Sequence, residues 1–358
     1  MMSLDTIDNA PDILINQENF LDYAAERGFG DIHFKVCPHT RMQAIVAIHN
    51  TKLGPALGGC RFIEYDNSFS ALYDAMRLAR GMSYKAALVN LPLGGGKAVI
   101  VKPKGHFDRN GYLNQFGRFV HDLGGRYITA VDSGTDLNDM DIIASHTPYV
   151  ASRSEHNGEP SPYTARGVLK GIQAAVYFQL GKSSLEGLHL AIQGLGKVGY
   201  QLAEYVTDLG AKITVADINK DSVERAVKEL GATASTVEDI HKVECDVFSP
   251  CALGAVINDI SINQLQTKIV AGAANNQLAR AYHGKALHDK GILYATDYVI
   301  NAGGLIYAAS KYFKTEENQV LEQVDHIYDS LMTIFERSAS DDRACSDIAD
   351  TIAQEKIA

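Results

Sequence analysis

The segment between residues 188 and 216 most constrains the fold of this chain. An apolar stretch, LHLAIQ, runs into the glycine-rich turn GLGKVG (194–199), then into helical spacing over 197–209 and a second apolar stretch over 212–216. Strand, glycine turn, helix and strand in this order predict a βαβ unit. Further strands are predicted over 246–249, 268–271 and 292–294, with helices over 220–230 and 278–287. Repeated βα units predict a doubly wound parallel sheet with helices on both faces.

The turn GLGKVG has the spacing of a dinucleotide-binding loop. In that interpretation Gly194 makes the tight turn, Gly196 lets a pyrophosphate approach, and Gly199 lets the helix pack on the strand. The phosphates would lie at the helix N-terminus, beside Lys197 and Val198, where free N–H groups favour negative charge.

Asp217 ends the second strand, about 20 residues beyond the first glycine, where a carboxylate binds the adenosine ribose. An acid there repels a 2′-phosphate, so NAD is predicted as cofactor. Lys220 nearby leaves NADP open. The alternative is that Asp217 is only a helix N-cap.

The first half of the chain mixes strands and helices. Strands are predicted over 42–49, 98–101 and 127–130, and helices over 70–87, 111–123 and 137–144. A polar interruption with two prolines, SRSEHNGEPSP (152–162), marks a candidate domain boundary and hinge, and a helix over 163–181 follows. We predict a first domain over 1–150 and a dinucleotide-binding domain over 151–330. The helical tail, from about 330 to 358, is expected to rejoin the first domain.

Lys97 lies in the stretch LPLGGGKAVIV (91–101). Three glycines precede it and an apolar, β-branched strand follows it. We interpret the glycines as a turn with positive φ that lets a substrate come close. A lysine held in a partly desolvated pocket has a lowered pKa and can act as a base. The alternative is an ordinary exposed lysine after a flexible turn.

Lys85 and Asp132 complete a set of groups suited to an α-amino acid. Lys85 lies near the end of the predicted 70–87 helix, and Asp132 follows the strand over 127–130. One ammonium would pair with the substrate carboxylate, the other would act on the carbon chemistry, and the carboxylate would take the proton of the substrate ammonium. The alternatives are a lysine that complements a helix dipole and an aspartate that caps a helix.

The composition excludes several other classes of function. The net charge of −10 argues against nucleic acid or an anionic membrane as main partner. The sequence has no run of about 18 apolar residues, so no membrane span is predicted. The acidic N-terminus does not resemble a signal peptide. Five scattered cysteines without metal-ligand spacing predict reduced thiols, no metal site and a cytoplasmic location.

Seven motifs along nearly the whole chain resemble the amino-acid dehydrogenase superfamily of glutamate, leucine, valine and phenylalanine dehydrogenases. They are LGPALGGCR (53–61), YKAALVNLPLGGGKA (84–98), TAVDSGTD (129–136), SPYTARGV (161–168), GLGKVG (194–199), GAANNQL (272–278) and VINAGG (299–304). The resemblance implies two α/β domains, one with a mixed sheet that binds substrate and one of Rossmann type that binds NAD, with a cleft between them. A homo-oligomer, a dimer or an octamer, is expected on the same ground.

The resemblance also implies residue roles. Lys85 would bind the substrate α-carboxylate, Lys97 would activate water, and Asp132 would transfer protons. Residues near the nicotinamide and its ribose would be Thr164, Asn275, Asn276 and Asn301.

Leu57 separates the branches of this superfamily. Glutamate dehydrogenases resemble GPxKGGxR in the first motif, where the lysine binds the side-chain carboxylate of the substrate, whereas this chain has GPALGGCR. Burying an unpaired carboxylate against leucine would cost several kcal/mol. The pocket is therefore predicted to take an apolar side chain, with Gly58 and Val299 as neighbours of Leu57.

The prediction is an NAD-dependent oxidative deaminase of an apolar L-amino acid such as leucine, reversible and closest to leucine dehydrogenases. Phenylalanine or valine dehydrogenase activity remains an alternative. A glutamate dehydrogenase is disfavoured by Leu57. A non-catalytic NAD-binding regulator would not need Lys85, Lys97 and Asp132 together, and a hydroxy-acid dehydrogenase would usually want a histidine in the motifs.

Overall fold

A computed structural model describes residues 19–155 and 158–358. The acidic N-terminal segment and two positions of the 152–162 interruption, 156 and 157, therefore lie outside the described residues. Contacts divide the chain into two units. The first contains the described part of Asp12–Gly158 with Ala308–Glu316 and Ala353–Ala358. The second contains Glu159–Tyr307 and Glu317–Ile352.

The first unit is built on a mixed sheet. Its elements are α1 (Phe20–Glu26), β1 (Asp31–Val36), β2 (Gln43–Asn50), β3 (Ala56–Ile63), α2 (Ser68–Leu88), β4 (Gly94–Val101), α3 (Arg109–Asp122), β5 (Tyr127–Val131) and α4 (Leu137–Ala144). The five described strands follow the order β1-β2-β4-β3-β5. The pairs β1/β2 and β2/β4 are antiparallel, and β3 is parallel to both β4 and β5.

Side chains of the strands alternate between the two faces of the sheet, and each face is covered by its own hydrophobic core. Ala98 and Ile100 of β4 pack with Phe116 of α3 on one face of the sheet. Val99 packs with Ala75 and other apolar residues of α2 on the opposite face. Because successive strand side chains point to opposite faces, Lys97 lies on the α2 face together with Val99.

The second unit is built on a sheet in which all described strands are parallel. The elements that begin in this unit are α5 (Ser161–Leu180), β6 (His189–Gln193), α6 (Lys197–Asp208), β7 (Lys212–Ala216), α7 (Lys220–Leu230), β8 (Thr233–Ala234), β9 (Cys245–Pro250), β10 (Thr267–Val270), α8 (Tyr282–Asp289), β11 (Leu293–Tyr294), α9 (Asp297–Ile300), α10 (Gly303–Phe313), α11 (Glu317–Asp325), α12 (Ile327–Asp341) and α13 (Cys345–Ile357). The strands follow the order β11-β10-β9-β6-β7-β8. This order reverses between β6 and β9, the switch point where open α/β sheets bind ligands.

The predicted fold class is confirmed: the chain is α/β, with a mixed sheet in one unit and a parallel sheet in the other. The unit boundary between Gly158 and Glu159 falls inside the polar interruption at 152–162. The helical tail divides, since Glu317–Ile352 clusters with the second unit and only Ala353–Ala358 with the first. We predicted that the whole segment from about 330 to 358 rejoins the first unit, whereas only Ala353–Ala358 does so.

Two other predictions differ from the structure because of long-range pairing. The LGPALGGCR motif forms β3, a strand flanked by β4 and β5 that was not predicted. The helix predicted from residue 278 begins only at Tyr282, because Leu278 forms a bridge with Ile257.

Candidate active site

The three glycines before Lys97 belong to β4 and do not form a turn. None of them has a positive φ, so the prediction of a left-handed turn is wrong. A Cβ added at Gly95 would lie 2.0 Å from the backbone nitrogen of Ser83 in α2. At Gly96 it would lie 2.8 Å from the ring of Tyr127. The glycines therefore let protein elements pack closely, and the expected opening for substrate at these positions is not observed.

Lys97 lies in the middle of β4 and is 6% exposed. Its Nζ contacts Oδ2 of Asp132, which follows β5. Burial lowers the pKa of Lys97 to about 7, and the nearby Arg61 lowers it as well, while Asp74 and Cys60 oppose the change. A lysine with this pKa is partly neutral near neutral pH, which is what a general base requires.

The side chain of Asp132 passes over Gly59 of β3 to contact Lys97. Only a glycine leaves room for it, because a Cβ at Gly59 would lie 2.7 Å from Cβ and 2.8 Å from Oδ2 of Asp132. The other carboxylate oxygen, Oδ1, accepts a hydrogen bond from the backbone of Ser133 at 2.5 Å. Asp132 is not the cap of the following helix, since Asp136 occupies the N-cap of α4.

The other predicted substrate residues of the first unit lie on neighbouring elements. Lys85 occupies the last turn of α2 and is partly buried. Leu57 in β3 is 2% exposed and pairs with Gly95 of β4. A Cβ at Gly58 would lie 1.6 Å from the carbonyl oxygen of Gly96, so only glycine fits there. Val299 is fully buried in α9 and belongs to the second unit.

The loop between β6 and α6 has the geometry expected of a phosphate-binding turn. Gly194 has φ +98°, a conformation that favours glycine. Gly196 occupies the N-cap of α6, and a Cβ there would meet no atom within 4 Å. A Cβ at Gly199 would lie 2.0 Å from the Gly194 carbonyl oxygen. The loop thus combines a tight turn, an open face at a helix N-terminus and close helix–strand packing, and it fits a dinucleotide pyrophosphate.

Lys197 and Val198, which form the start of α6 between Gly196 and Gly199, differ in exposure. Lys197 is exposed and forms an ion pair with Glu159, whereas Val198 is partly buried.

Asp217 is tied to the same loop. Its Oδ2 accepts a hydrogen bond from the backbone of Leu195 at 2.5 Å, and its Oδ1 accepts one from the backbone of Asn219 at 2.7 Å. The N-cap of α7 is Asn219, so the alternative that Asp217 caps the helix is wrong. The carboxylate instead lies next to the glycine turn, where a dinucleotide ribose would bind.

The polar residues predicted near the nicotinamide form two groups in the second unit. Asn301 is 5% exposed and donates to the Ala273 carbonyl at 3.1 Å and to Oδ1 of Asn275 at 2.8 Å. Asn276, the residue after Asn275, has a backbone φ of +52°.

The second group contains Thr164. It lies in the first turn of α5, and its hydroxyl donates to the Pro160 carbonyl at 3.1 Å. A Cβ at Gly304 would lie 3.1 Å from Thr164 Oγ1, so Thr164 and the VINAGG segment approach each other.

Sequence reasoning did not single out Gly59, Arg61 or Asp74 as site residues. The signal for the first two was present in the motif LGPALGGCR, whose glycine and arginine contact the Lys97–Asp132 pair. Within the described ranges, no helix is long and apolar enough to cross a membrane, and no group of three or more His, Cys, Asp or Glu residues is placed to hold a metal ion.

A parallel sheet with a dinucleotide loop and a mixed-sheet unit with a buried lysine–carboxylate pair together define a nicotinamide-dependent dehydrogenase. Two family profiles match the chain. The dimerisation domain of Glu/Leu/Phe/Val dehydrogenases matches residues 33–149, and the Glutamate/Leucine/Phenylalanine/Valine dehydrogenase profile matches residues 215–358.

Individual relatives cover most of the chain. A leucine dehydrogenase of Bacillus subtilis (strain 168) is 47% identical over 88% of this chain and 88% of its own. An L-tryptophan dehydrogenase of Nostoc punctiforme (strain ATCC 29133 / PCC 73102) is 42% identical over 93% of this chain and 94% of its own. The crystal structure of L-tryptophan dehydrogenase from Nostoc punctiforme superimposes with a TM-score of 0.88 at 39% identity, covering 94% of this chain and 98% of that one. The chain therefore belongs to the Glu/Leu/Phe/Val dehydrogenase family.

Proposed function

We propose that this enzyme oxidatively deaminates an apolar L-amino acid, leucine first among the candidates, to its 2-keto acid and ammonia, and that it also catalyses the reverse reaction. The observation that carries the proposal is the contact between the buried Lys97 and Asp132. The contact brings an amine and a carboxylate, both able to transfer protons, into one site. Leu57 supports an apolar substrate, because it cannot pair with a side-chain carboxylate. Relatives named leucine dehydrogenase support the same choice.

Two alternatives within the family follow from the relatives. Proteins named tryptophan and phenylalanine dehydrogenase are each 42% identical to the chain, so an aromatic substrate is the second candidate. Valine is a further candidate, since an added or missing methylene changes the free energy of binding in an apolar pocket by only about 1–3 kcal/mol.

NAD is the proposed cofactor. The glycine loop at Gly194, Gly196 and Gly199 and the carboxylate of Asp217 would hold the dinucleotide, and Asp217 would repel a 2′-phosphate. The chemistry that the dinucleotide would supply when bound is acceptance of the hydride that leaves the substrate Cα.

The protein groups carry the proton transfers. Lys85 binds the substrate α-carboxylate and so orients Cα. Asp132 accepts a proton from the substrate ammonium, which frees the nitrogen lone pair. Lys97 in its neutral form takes a proton from the water that attacks the iminium carbon, which gives a carbinolamine. Asp132 then returns a proton to nitrogen, and ammonia leaves as the carbinolamine hydroxyl releases its proton to solvent and becomes the keto carbonyl. Each transfer by a positioned group contributes about 10²–10⁴ in rate.

A panel of L-amino acids assayed for NADH formation tests the proposal, with NADP run in parallel. We expect turnover on leucine and other apolar amino acids, little on glutamate, and a preference for NAD. Lys97→Ala should lower kcat by about 10²–10⁴. The matched control is Lys102→Ala, an exposed lysine just beyond the end of β4, which should keep wild-type turnover.

Three results would contradict the proposal. Glutamate turnover above leucine turnover would restore the glutamate dehydrogenase alternative. Tight NAD binding without turnover on any amino acid would indicate a regulator. Wild-type turnover in Lys97→Ala would remove Lys97 from the mechanism.

A homo-oligomer in the cytoplasm also remains our proposal. The first family profile describes a dimerisation domain, which supports assembly of identical chains. The five cysteines are free thiols, which supports a reducing compartment.

A further inference from the structure

Arg61 links helix α2 to the Lys97–Asp132 pair. It lies in β3, two residues beyond Gly59, so both positions share one face of the strand. Its Nη1 donates to Oδ2 of Asp74 at 2.7 Å. Its Nη2 lies 3.6 Å from Oδ1 of Asp132. One planar guanidinium thus spans two carboxylates, which a flexible lysine side chain cannot do in the same fixed geometry.

Asp74 is a firm anchor for this arginine. It is 6% exposed in α2 and accepts two more hydrogen bonds, from the Tyr65 hydroxyl at 2.7 Å and from Arg77 at 3.1 Å. Burial alone would raise the pKa of Asp74, but Arg61, Tyr65 and Arg77 more than offset it, so the pKa is lowered. An ionised carboxylate with three donors holds the guanidinium in place.

The two oxygens of Asp132 have separate partners. Oδ2 contacts Lys97, while Oδ1 faces Arg61 and the Ser133 amide. The Ser133 amide and the charge of Arg61 both act on Oδ1, which leaves Oδ2 directed at Lys97. Arg61 therefore places a fixed positive charge on the Oδ1 side of the proton-transfer carboxylate, beside the hydrogen bond from the Ser133 amide.

We propose that Arg61, anchored by Asp74, is a positioning residue that orients Asp132 and supplies the positive charge facing Lys97. This inference rests on the proposed function, since it concerns the same proton transfers. Arg61 acts through Asp132 and Lys97.

The charged and titratable groups around Lys97 set the direction of the effect. They are Arg61 and Cys60 from β3, Asp74 and Arg77 from α2, and Asp132 after β5. Arg61 and Arg77 lower the pKa of Lys97, and Asp74 and Cys60 raise it. Loss of Arg61 therefore favours the protonated lysine, and a higher pH is needed to form the neutral base.

The test is the pH dependence of kcat for amino-acid deamination in wild type, Arg61→Gln and Arg61→Lys. In wild type, kcat should rise with pH through an inflection near the Lys97 pKa of about 7. Arg61→Gln should move that inflection upward by about 1 unit. Arg61→Lys keeps the charge, so its inflection should stay near that of wild type. Its kcat should nevertheless fall by about tenfold, because the bridge between Asp74 and Asp132 is lost.

A matched control is Arg126→Gln, which removes a guanidinium from the same unit. Arg126 pairs with Asp31 in an exposed ion pair at 2.7 Å, and its loss should leave the inflection unchanged. An unshifted inflection in Arg61→Gln, or wild-type kcat in Arg61→Lys, overturns the inference while an active wild type upholds the proposed function. A wild type without turnover overturns the proposed function itself. Should Arg61→Gln fail to fold, the kcat of Arg61→Lys decides.

Discussion

At the scale of single residues, the site depends on which side chains are missing as much as on those present. Gly59 carries no reactive group, yet only its lack of a Cβ lets Asp132 approach Lys97. The residue types at Lys97 and Asp132 were identified from the sequence as acid–base candidates. Their contact was not, because 35 positions separate them and only the pairing of β3 with β4 and β5 brings them together.

Gly59→Ala tests this dependence on space. The added methyl would overlap Asp132, so we expect kcat to fall by about 100-fold while NAD binding by the other unit is retained. Steady-state kinetics and a fluorescence titration with NADH measure the two effects.

The control is Gly81→Ala in α2, where an added Cβ meets no atom within 4 Å. It should keep wild-type kcat and raise the free energy of unfolding by about 0.5–1 kcal/mol, because alanine is the better helix former. Equal kcat in the two variants would show that Asp132 does not need the gap at Gly59.

At the scale of elements, the βα units of the second unit were largely predictable. Strand β7 and helix α7 have the predicted bounds, because their apolar periodicity and terminal residues are local signals. Strand β3 was missed, since LGPALGGCR is rich in glycine and shows no alternation. Its strand conformation comes from pairing with neighbours on both sides.

Two glycines of the loop before α6 should respond differently to alanine. Gly196→Ala adds a methyl into open space, so the free energy of unfolding should change little, while the KM for NAD should rise by about tenfold as the methyl occupies the phosphate position. Gly199→Ala forces a methyl against the Gly194 carbonyl and should lower the free energy of unfolding by roughly 2 kcal/mol. Denaturant unfolding and NAD kinetics separate the two cases, and equal stability losses in both variants would refute the assigned roles.

At the scale of the whole molecule, the last residues of the chain return to the first unit. Lys356 donates to the Ala87 carbonyl at 3.1 Å and to Asn90 Oδ1 at 2.7 Å, and Gln354 donates to the Tyr84 hydroxyl at 2.9 Å. These bonds surround the C-terminal turn of α2, which carries Lys85. The segment Ala353–Ala358 thus stabilises the turn that holds a proposed substrate-binding residue.

Lys356→Ala should lower the free energy of unfolding by about 1–2 kcal/mol, since two hydrogen bonds from a charged, partly buried group are lost. The KM for the amino acid should rise while the KM for NAD stays unchanged. Thermal melting and two-substrate kinetics measure this outcome. Lys268→Ala, an exposed lysine of the second unit, is the control, and identical behaviour of the two variants would argue against the role of the C-terminal segment.

Local sequence signals were enough to predict the dinucleotide loop, the helices with strong periodicity and the residue types of the site. These features follow from short-range rules: glycine where φ is positive, a carboxylate at a fixed distance from the turn, and apolar spacing of 2 or 3.6 residues. Three features could be read from the folded chain alone: Gly94–Gly96 form a strand, the lack of a Cβ at Gly59 leaves room for Asp132, and Asp74 anchors Arg61. These arrangements depend on packing between segments that are far apart in the chain, and a local sequence pattern does not reveal which distant segments will be in contact.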